Sequence, residues 1–477
     1  MSAAKQAPLP MRIKLFHGLG SVAFGIKDNG FSVFLLIFYN QVLGMEAQLV
    51  SLALAMALII DAFVDPLLGN LSDRTYTRWG RRLPWLYVAP LPLAIVWVIL
   101  WQPPLDSAPS FWGLLAMAVL VRLLLSACEV PSTALVPELT KDYDERTTLF
   151  RYRFLFGWGG GLLILFLAYQ VFLGDNMLSA AGYAAYGMFG GIVMFLATII
   201  SALGQHKLVA HLPKDKPPPF SLRIAFSEIF QALSERSFLI LAGGALAAYV
   251  SQGMTFALSN YLYLFVWQFS ETDFVYYPIV LFLSVVVAFV TLGPLHRKWG
   301  KARVAAIATL FSMLFWLIPY GVLYAGAWPE LGTTKSTIAL FSLVLLSNSC
   351  GVIVMISASS MVAEIVEEFE ERTTRRAEGS FYSGYWFIQK CATGIGIFVT
   401  GLIVYLSGLP EKAKPGEVAA PVIDSLILQY CLMVLVLGMV SAWFLLRFPI
   451  DRAQHEARLS SLDAAARADI DGGQIIP

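Results

Sequence analysis

The chain has 477 residues, of which 58% are hydrophobic and only 14% are charged, and its mean hydropathy is +0.69. This composition is too apolar for an ordinary soluble protein, and the net charge of +1 gives no sign of a nucleic-acid partner. The four cysteines all lie in apolar runs, which argues against a disulfide framework or a zinc site.

Twelve apolar stretches are long enough to cross a bilayer core of about 30 Å, which takes about 20 helical residues. In chain order they lie at 15–43, 48–70, 84–102, 111–137, 154–174, 181–205, 237–267, 273–294, 302–325, 336–361, 380–407 and 422–447. Nearly all Lys and Arg residues outside these stretches fall in the loops on one side. We therefore expect an integral, multi-pass plasma-membrane protein (of the inner membrane if the source is bacterial) with both termini in the cytoplasm.

The second stretch carries two carboxylates, Asp61 and Asp65, four residues apart on one helix face. An ionised group at mid-bilayer costs about 3 kcal/mol, so such groups face a cavity or a charged partner and commonly mark an ion or substrate path. A buried pair held only by local hydrogen bonds is the alternative, but two adjacent carboxylates repel each other. The pair therefore predicts an ion or substrate site.

A polar interruption divides the chain. Residues 206–236 contain the linker KDKPPPF and then apolar residues at helical spacing, which predicts an amphipathic helix on the inner membrane surface. The predicted organisation is an N-terminal six-helix half at 1–205, this linker at 206–236, a C-terminal six-helix half at 237–450 and a cytoplasmic tail at 451–477.

The two halves share repeated motifs. VPELTKDYDERTT at 136–148 and VAEIVEEFEERTT at 362–374 align at one constant offset, and TRWGRR after the second stretch resembles HRKWGKAR after the eighth. Two related six-span halves joined by a long cytoplasmic connection are the plan of major facilitator transporters, whose substrate site lies between the halves. The predicted fold class is an all-α membrane protein with twelve transmembrane helices in two pseudo-symmetric halves.

Four segments point to one family. They are KD at 27–28, DAFVDPLLGNLSDRTYTRWGRR at 61–82, CEVPSTALVPELTKDYDERT at 128–147 and EIVEEFEERTTRRAEGSFYSGYWFIQK at 364–390. Together they resemble the glycoside/pentoside/hexuronide:cation symporters over almost the whole chain. The resemblance implies a cation-coupled secondary transporter that moves a small solute, first of all a sugar or glycoside, by alternating access.

The resemblance assigns the coupling-cation site to the acid pair. Asp61 and Asp65 look like the family's helix 2 cation carboxylates, and Ser126 is included in the same predicted site. Carboxylate oxygens suit sodium, in which case both acids would be metal ligands, and a close acid pair also shares a proton readily. Members that use sodium commonly have a polar residue just before the second acid, where this chain has Val64, so we favour H⁺ over Na⁺.

The resemblance also implies a solute site. Its predicted residues are an acid like that of the family's helix 1, an acid like that of helix 4 and a lysine like that of helix 11, together with an arginine and a tryptophan: Asp28, Glu129, Lys390, Arg153 and Trp386. In members that carry melibiose, a tryptophan follows the helix 4 acid by one turn, whereas this chain has Thr133. The resemblance therefore supports cation-coupled transport better than it supports a particular sugar.

The intramembrane charges form an unequal set. Counted from the sequence, four acids face three bases, which leaves the interior one positive charge short: Asp28, Asp61, Asp65 and Glu129 against Lys27, Arg122 and Lys390. A monovalent cation would balance this set. Lys27 is expected to snorkel or to pair with Asp28, and Arg122, two turns from Glu129 on one helix face, is expected to neutralise that acid unless it has a functional role.

Charges at the inner helix junctions are predicted to act in gating. The candidates lie at one junction after helix 2 and at two others: Asp73, Arg74, Arg78, Arg81 and Arg82, and then Glu138, Arg146, Glu364 and Arg372. Ion pairs between them would close the cytoplasmic side when the site opens outward. Topogenic charge is the alternative, but the acids favour a latch because acids add little to topology.

Two other functions stay open. One is a sodium-dependent carrier of lysolipids or other amphiphiles, since animal lysolipid carriers resemble the same family, and the other is a solute sensor that does not transport. The sequence has no metal-ligand cluster, nucleophile elbow or phosphate loop, so we expect neither enzymatic activity nor a cofactor. The expected partners are the solute, H⁺ or Na⁺ as coupling ion and the lipid bilayer, and the expected state is a monomer.

Overall fold

A computed structural model describes residues 9–103, 109–174, 176–210, 233–373 and 377–450. Within these ranges the chain is helical and contains no strand, apart from one isolated β-bridge between Thr77 and Gly80. The predicted surface helix of the linker and the tail from Asp451 lie outside the described residues, except for the ends of the linker.

The helices are numbered in chain order. They are α1 (Met11–Val42), α2 (Ala47–Arg74), α3 (Pro90–Trp101), α4 (Phe111–Leu139), α5 (Glu145–Phe172), α6 (Ala180–Val209), α7 (Arg236–Val266), α8 (Thr272–Trp299), α9 (Lys301–Tyr324), α10 (Thr334–Thr373), α11 (Glu378–Ser407) and α12 (Ala420–Leu446). Eleven of these described helices are long and apolar enough to cross a membrane, and α3 is shorter. An integral, multi-pass, all-helical membrane protein is thus confirmed, whereas twelve full crossings are not.

The repeated motif of the two halves does not form the same structure twice. At 362–373 it continues α10, so that helix has 40 residues and at 1.5 Å per residue is longer than a bilayer core is thick. At 136–148 the chain breaks instead: α4 ends at Leu139, and Asp142 caps the next helix by accepting a hydrogen bond from the backbone N–H of Glu145 at 2.9 Å. Helix α5, which begins at Glu145, therefore starts well before the predicted stretch at 154–174.

Helices α2 and α11 pack directly against each other across the two halves. Gly394 of α11 makes this possible, since a Cβ there would lie only 3.2 Å from the backbone oxygen of Ala55 in α2. Within the N-terminal half, Gly25 of α1 has the same role against α5, because its Cβ would come within 2.8 Å of the backbone nitrogen of Gly161. The first contact brings the charged residues of α2 and α11 together.

The halves also meet at the end of α1 and α7, on the predicted outer side. Asn260 of α7 donates a hydrogen bond to the Val33 carbonyl at 3.0 Å and accepts one from the Tyr169 hydroxyl at 2.8 Å. Tyr261 donates to the side-chain oxygen of Asn40 at 3.0 Å. These groups are buried and uncharged, and the helices around them turn to π-helical geometry at Gly30–Phe34, Phe38–Val42, Ala168–Phe172 and Leu262–Val266. The structure is therefore closed at this end.

Replacing Asn260 by Ala should weaken this closed end. The change removes two buried hydrogen bonds and leaves the Tyr169 hydroxyl and the Val33 carbonyl without partners, at a cost of about 1–3 kcal/mol. The population open at this end should rise about tenfold, which labelling of a cysteine at the buried Phe34 by an impermeant maleimide would measure. Asn176→Ala, which affects only a local hydrogen bond to Leu178, is the control. Equal labelling of both variants would contradict the prediction.

Candidate functional site

The acid pair of α2 is bound by a lysine from the opposite half. The ammonium of Lys390 on α11 lies 2.9 Å from Oδ2 of Asp61 and also makes an ion pair with Asp65. The side chain of Asp61 is only 4% exposed, whereas those of Asp65 and Lys390 are 30% and 29% exposed. The lysine assigned to the solute site thus contacts the predicted cation ligands directly.

Asp61 is held by two further side chains of α4. Nη1 of Arg122 lies 3.2 Å from Oδ2 of Asp61, and the Ser126 hydroxyl donates to Oδ1 at 3.0 Å. The guanidinium of Arg122 is buried and stacks over the Phe31 ring, 4.5 Å from its centroid. Arg122 and Ser126 are four residues apart in α4 and therefore lie on the same helix face. Their spacing indicates that they can contact one partner, but it does not say that the partner is Asp61.

Glu129 has a different partner from the one expected. It forms an ion pair with Arg153 of α5, whose guanidinium also donates to Ser132 at 2.7 Å and to Thr133 at 2.8 Å. The prediction that Arg122 neutralises Glu129 is therefore wrong. Thr133, which stands where the resemblance to melibiose carriers would give a tryptophan, accepts a hydrogen bond from Arg153 instead.

Arg153 also changes the charge balance of the interior. With this arginine included, four bases face the four acids, so the deficit of one positive charge that the sequence count indicated disappears. The sequence placed Arg153 in the solute site but did not count it among the intramembrane charges. A bound cation is therefore not needed for neutrality in this conformation.

The remaining predicted solute residues are accessible. Asp28 lies beside Lys27, with 3.7 Å between the carboxylate and the ammonium, and its side chain is 59% exposed, whereas that of Lys27 is buried. Lys27 also lies over the Phe24 ring at 4.5 Å. Trp386 is 54% exposed and precedes Lys390 by one helical turn. Asp28 and Trp386 thus lie exposed at the surface of the described chain, and partly exposed Glu129 is tied to Arg153.

A cavity of about 110 Å³ lies inside the C-terminal half. Its lining comes from helices of that half alone, with the amides of Gln252 and Asn348 and the hydrogen-bonded hydroxyls of Tyr249 and Tyr385 among its polar groups. None of the predicted site residues lines it. This cavity is separate from the acid pair.

The predicted gating residues after helix 2 form a cluster around Arg82. Its two terminal nitrogens lie 2.9 Å from Asp73 and 3.0 Å from Glu138, which joins the end of α2 to the end of α4. Arg78 lies over the Trp79 ring at 5.4 Å, while Arg74 and Arg81 also take part in polar or ring contacts. The cluster lies entirely within the N-terminal half.

The other gating candidates contact residues of their own half or, for Arg372, the end of the linker. Glu364 of α10 binds Lys301 of α9 at 2.9 Å, and Arg372 binds Glu235 at 2.6 Å. In the N-terminal half, Arg146 donates to the Thr140 carbonyl at 3.1 Å. The sequence missed the partners Lys301 and Glu235, and also the pair between Lys14 and Glu145, because each joins segments distant in the chain.

Known proteins share this arrangement of helices. The sequence profile of the MFS/sugar transport proteins matches residues 16–452. The chain belongs to this family. It is accordingly a membrane transporter and not an enzyme, and the resemblance to the glycoside/pentoside/hexuronide symporters is confirmed.

Two relatives and one solved structure illustrate the similarity. The isoprimeverose transporter of Lactiplantibacillus pentosus is 25% identical over 452 residues, covering 94% of this chain and 90% of the relative. An uncharacterized symporter of Synechocystis sp. is 28% identical over 480 residues, covering 85% and 87%. A bacterial homologue of the human lysosomal transporter Spinster, solved in an inward-facing conformation, has a TM-score of 0.64 at 16% identity and covers 93% of this chain and 97% of its own. The last similarity concerns the fold alone.

The two acids should differ in their importance for stability. Asp61→Asn leaves the buried guanidinium of Arg122 without its carboxylate, and removing one partner of a buried ion pair costs about 3–5 kcal/mol. Asp65→Asn removes a partly exposed acid whose lysine keeps Asp61, so its effect should be less than about half as large. Thermal unfolding of the purified proteins measures the difference.

A double variant is the control for this comparison. Asp61→Asn combined with Arg122→Gln removes both charges of the pair and should recover part of the lost stability. If the two single acid variants unfold at the same temperature, Asp61 is not the more strongly anchored acid.

Proposed function

We propose that the protein is a cation-coupled symporter that carries a sugar-like solute by alternating access between its two halves. The observation that carries this proposal is the ion pairing of Lys390 in one half with Asp61 and Asp65 in the other. Family membership supports the transport of a small solute with a coupling cation, and the name of the isoprimeverose transporter supports a glycoside as the solute. The lysolipid alternative is not favoured by these relatives.

The solute is expected to bind where accessible polar groups lie near the acid pair. Carboxylates accept hydrogen bonds from sugar hydroxyls, and an aromatic ring packs against the apolar face of a sugar. Asp28 and Trp386 offer these two groups, and their exposure supports this role. Glu129 would join them through its free carboxylate edge, with Arg153 and Thr133 as the residues that position it.

Lys390 explains how transport would depend on a cation. Its ammonium neutralises the acid pair in the conformation described, and it belongs to the half that must move relative to α2. When the halves separate along α2 and α11, the acids lose this partner and a coupling ion would take its place. Solute and ion would then favour the same conformation, which is the linkage that symport requires.

Gating would use two kinds of contact. The neutral hydrogen bonds around Asn260 close the predicted outer side, so the conformation described would be open toward the cytoplasm. Among the described residues, Glu138 and Glu364 form ion pairs within their own halves, Arg146 donates to a backbone carbonyl of its half, and Arg372 pairs with Glu235 at the end of the linker, as expected for a latch that is released. They would exchange partners when the inner side closes.

We also infer the finer topology. The short helix Leu83–Val88 and α3 together cover 83–101, which is about 28 Å at the helical rise and enough for a twelfth crossing. An even number of crossings would place both termini on one side, and the distribution of Lys and Arg supports the cytoplasm as that side. The division into halves at 206–236 follows the same plan.

The function is tested with purified protein in proteoliposomes. Labelled isoprimeverose and melibiose are offered with and without an ion gradient, and a labelled lysolipid is the comparison. We expect at least one sugar to accumulate when H⁺ or Na⁺ flows inward, and exchange of the sugar without any gradient. Accumulation of the lysolipid alone, or binding of sugar without movement, would favour one of the two other functions.

Asp65→Asn should separate accumulation from exchange. The variant removes the more exposed of the two acids that pair with Lys390, so uphill accumulation should fall by about tenfold or more, while exchange of solute across the membrane should persist. The control is Asp424→Asn. Asp424 is an exposed acid outside the acid pair, and it accepts a hydrogen bond from the Tyr324 hydroxyl at 3.1 Å. Accumulation at the wild-type level in Asp65→Asn would rule out this acid as the coupling group.

A further inference from the structure

The family implies a cation at the acid pair, and a sodium ion fits poorly among the residues present. Oδ1 of Asp61 accepts a hydrogen bond from Ser126, and its Oδ2 receives both Arg122 and Lys390. Of the four carboxylate oxygens of Asp61 and Asp65, Oδ1 of Asp65 is the one that is buried without a hydrogen-bond partner among the described residues. A metal ion needs several free oxygens, and an adjacent positive charge opposes its binding; the described residues contain no group of three or more His, Cys, Asp or Glu side chains that could hold one.

The two cations on Asp61 differ in how they would behave during transport. Lys390 belongs to the other half, so it would leave if the halves separated along α2 and α11. Arg122 lies on α4 in the same half as Asp61, is 5% exposed, and is held under the Phe31 ring. An arginine stays charged at all physiological pH values. Arg122 therefore remains as a permanent counter-charge when Lys390 is gone.

We propose that Arg122 takes the place of a metal cation in this transporter and thereby excludes sodium from the acid pair. After Lys390 leaves, Asp61 is still neutralised by its guanidinium, so only Asp65 needs a counter-charge. A single carboxylate beside a fixed positive charge lacks the paired carboxylate oxygens that would bind an alkali ion. Arg122 is thus a specificity-determining residue, and this role rests on the symport function proposed above.

The predicted consequence is a gain of sodium dependence when the guanidinium is removed. Arg122→Gln keeps a polar side chain of similar length but frees both acids for a metal ion. Arg122→Lys retains the positive charge and should behave like the wild type. Arg151→Gln, which replaces an exposed arginine of α5, is the control for the loss of an arginine at another position.

Sodium binding is measured directly on the purified full chain, by binding of radioactive ²²Na⁺ and by thermal unfolding in sodium chloride against choline chloride. The wild type, Arg122→Lys and Arg151→Gln should bind no ²²Na⁺ and unfold at the same temperature in both salts. Arg122→Gln should bind ²²Na⁺ and be stabilised by sodium alone. In proteoliposomes, sodium should change wild-type uptake by less than about threefold and stimulate the uptake or exchange of Arg122→Gln by about tenfold.

Two results would overturn the proposal: sodium binding by the wild type, or a folded Arg122→Gln protein that remains indifferent to sodium. If Arg122→Gln does not fold in either salt, Arg122→Ser, with its smaller side chain, is measured in its place. The wild-type measurement tests the proposal independently of both variants. Failure of the symport function would look different. In that case no sugar would move in the wild type, whereas the binding of ²²Na⁺ by each variant would still report on Arg122.

Discussion

The ion pairs of Lys390 with Asp61 and Asp65 are the interaction on which the rest of the structure depends. They place opposite charges from the two halves inside an apolar bundle, where each charge would be costly alone. The close approach of α2 and α11, with Gly394 against Ala55, is what allows the lysine to reach both acids. Any movement of one half against the other must therefore replace this lysine by another positive charge.

The two ends of the interface between the halves use different chemistry. On the predicted outer side, Asn260 and Tyr261 make neutral hydrogen bonds to α1 and α5, each worth about 1 kcal/mol, so that end opens at a modest cost. In the interior, Lys390 pairs with Asp61 and Asp65, and separating these buried charges without a counter-ion would be costly. This difference supports a carrier in which the ion, rather than the outer contacts, determines when the halves rearrange.

Sequence symmetry between the halves is a poor guide to their detailed structure. The motif that contains Glu138 is interrupted where α4 ends at Leu139 and Asp142 caps the next helix, whereas the motif that contains Glu364 continues a single helix. The matched acids consequently have unlike partners, a loop arginine in one half and a lysine of α9 in the other. A latch built from them would not be symmetric.

The sequence by itself determined the membrane class, the positions of eleven long helices and the family, and it singled out Asp61 and Asp65 as intramembrane charges, because hydrophobic runs and intramembrane charges are local signals. The sequence could not determine which acid on one helix pairs with which base on another. Tertiary structure alone decided that Arg122 binds Asp61, that Arg153 binds Glu129 and that the interior is neutral without an added cation. Ion-pair partners lie on different helices, and only the packing of those helices sets the distances between the charges, on which the electrostatic energy depends.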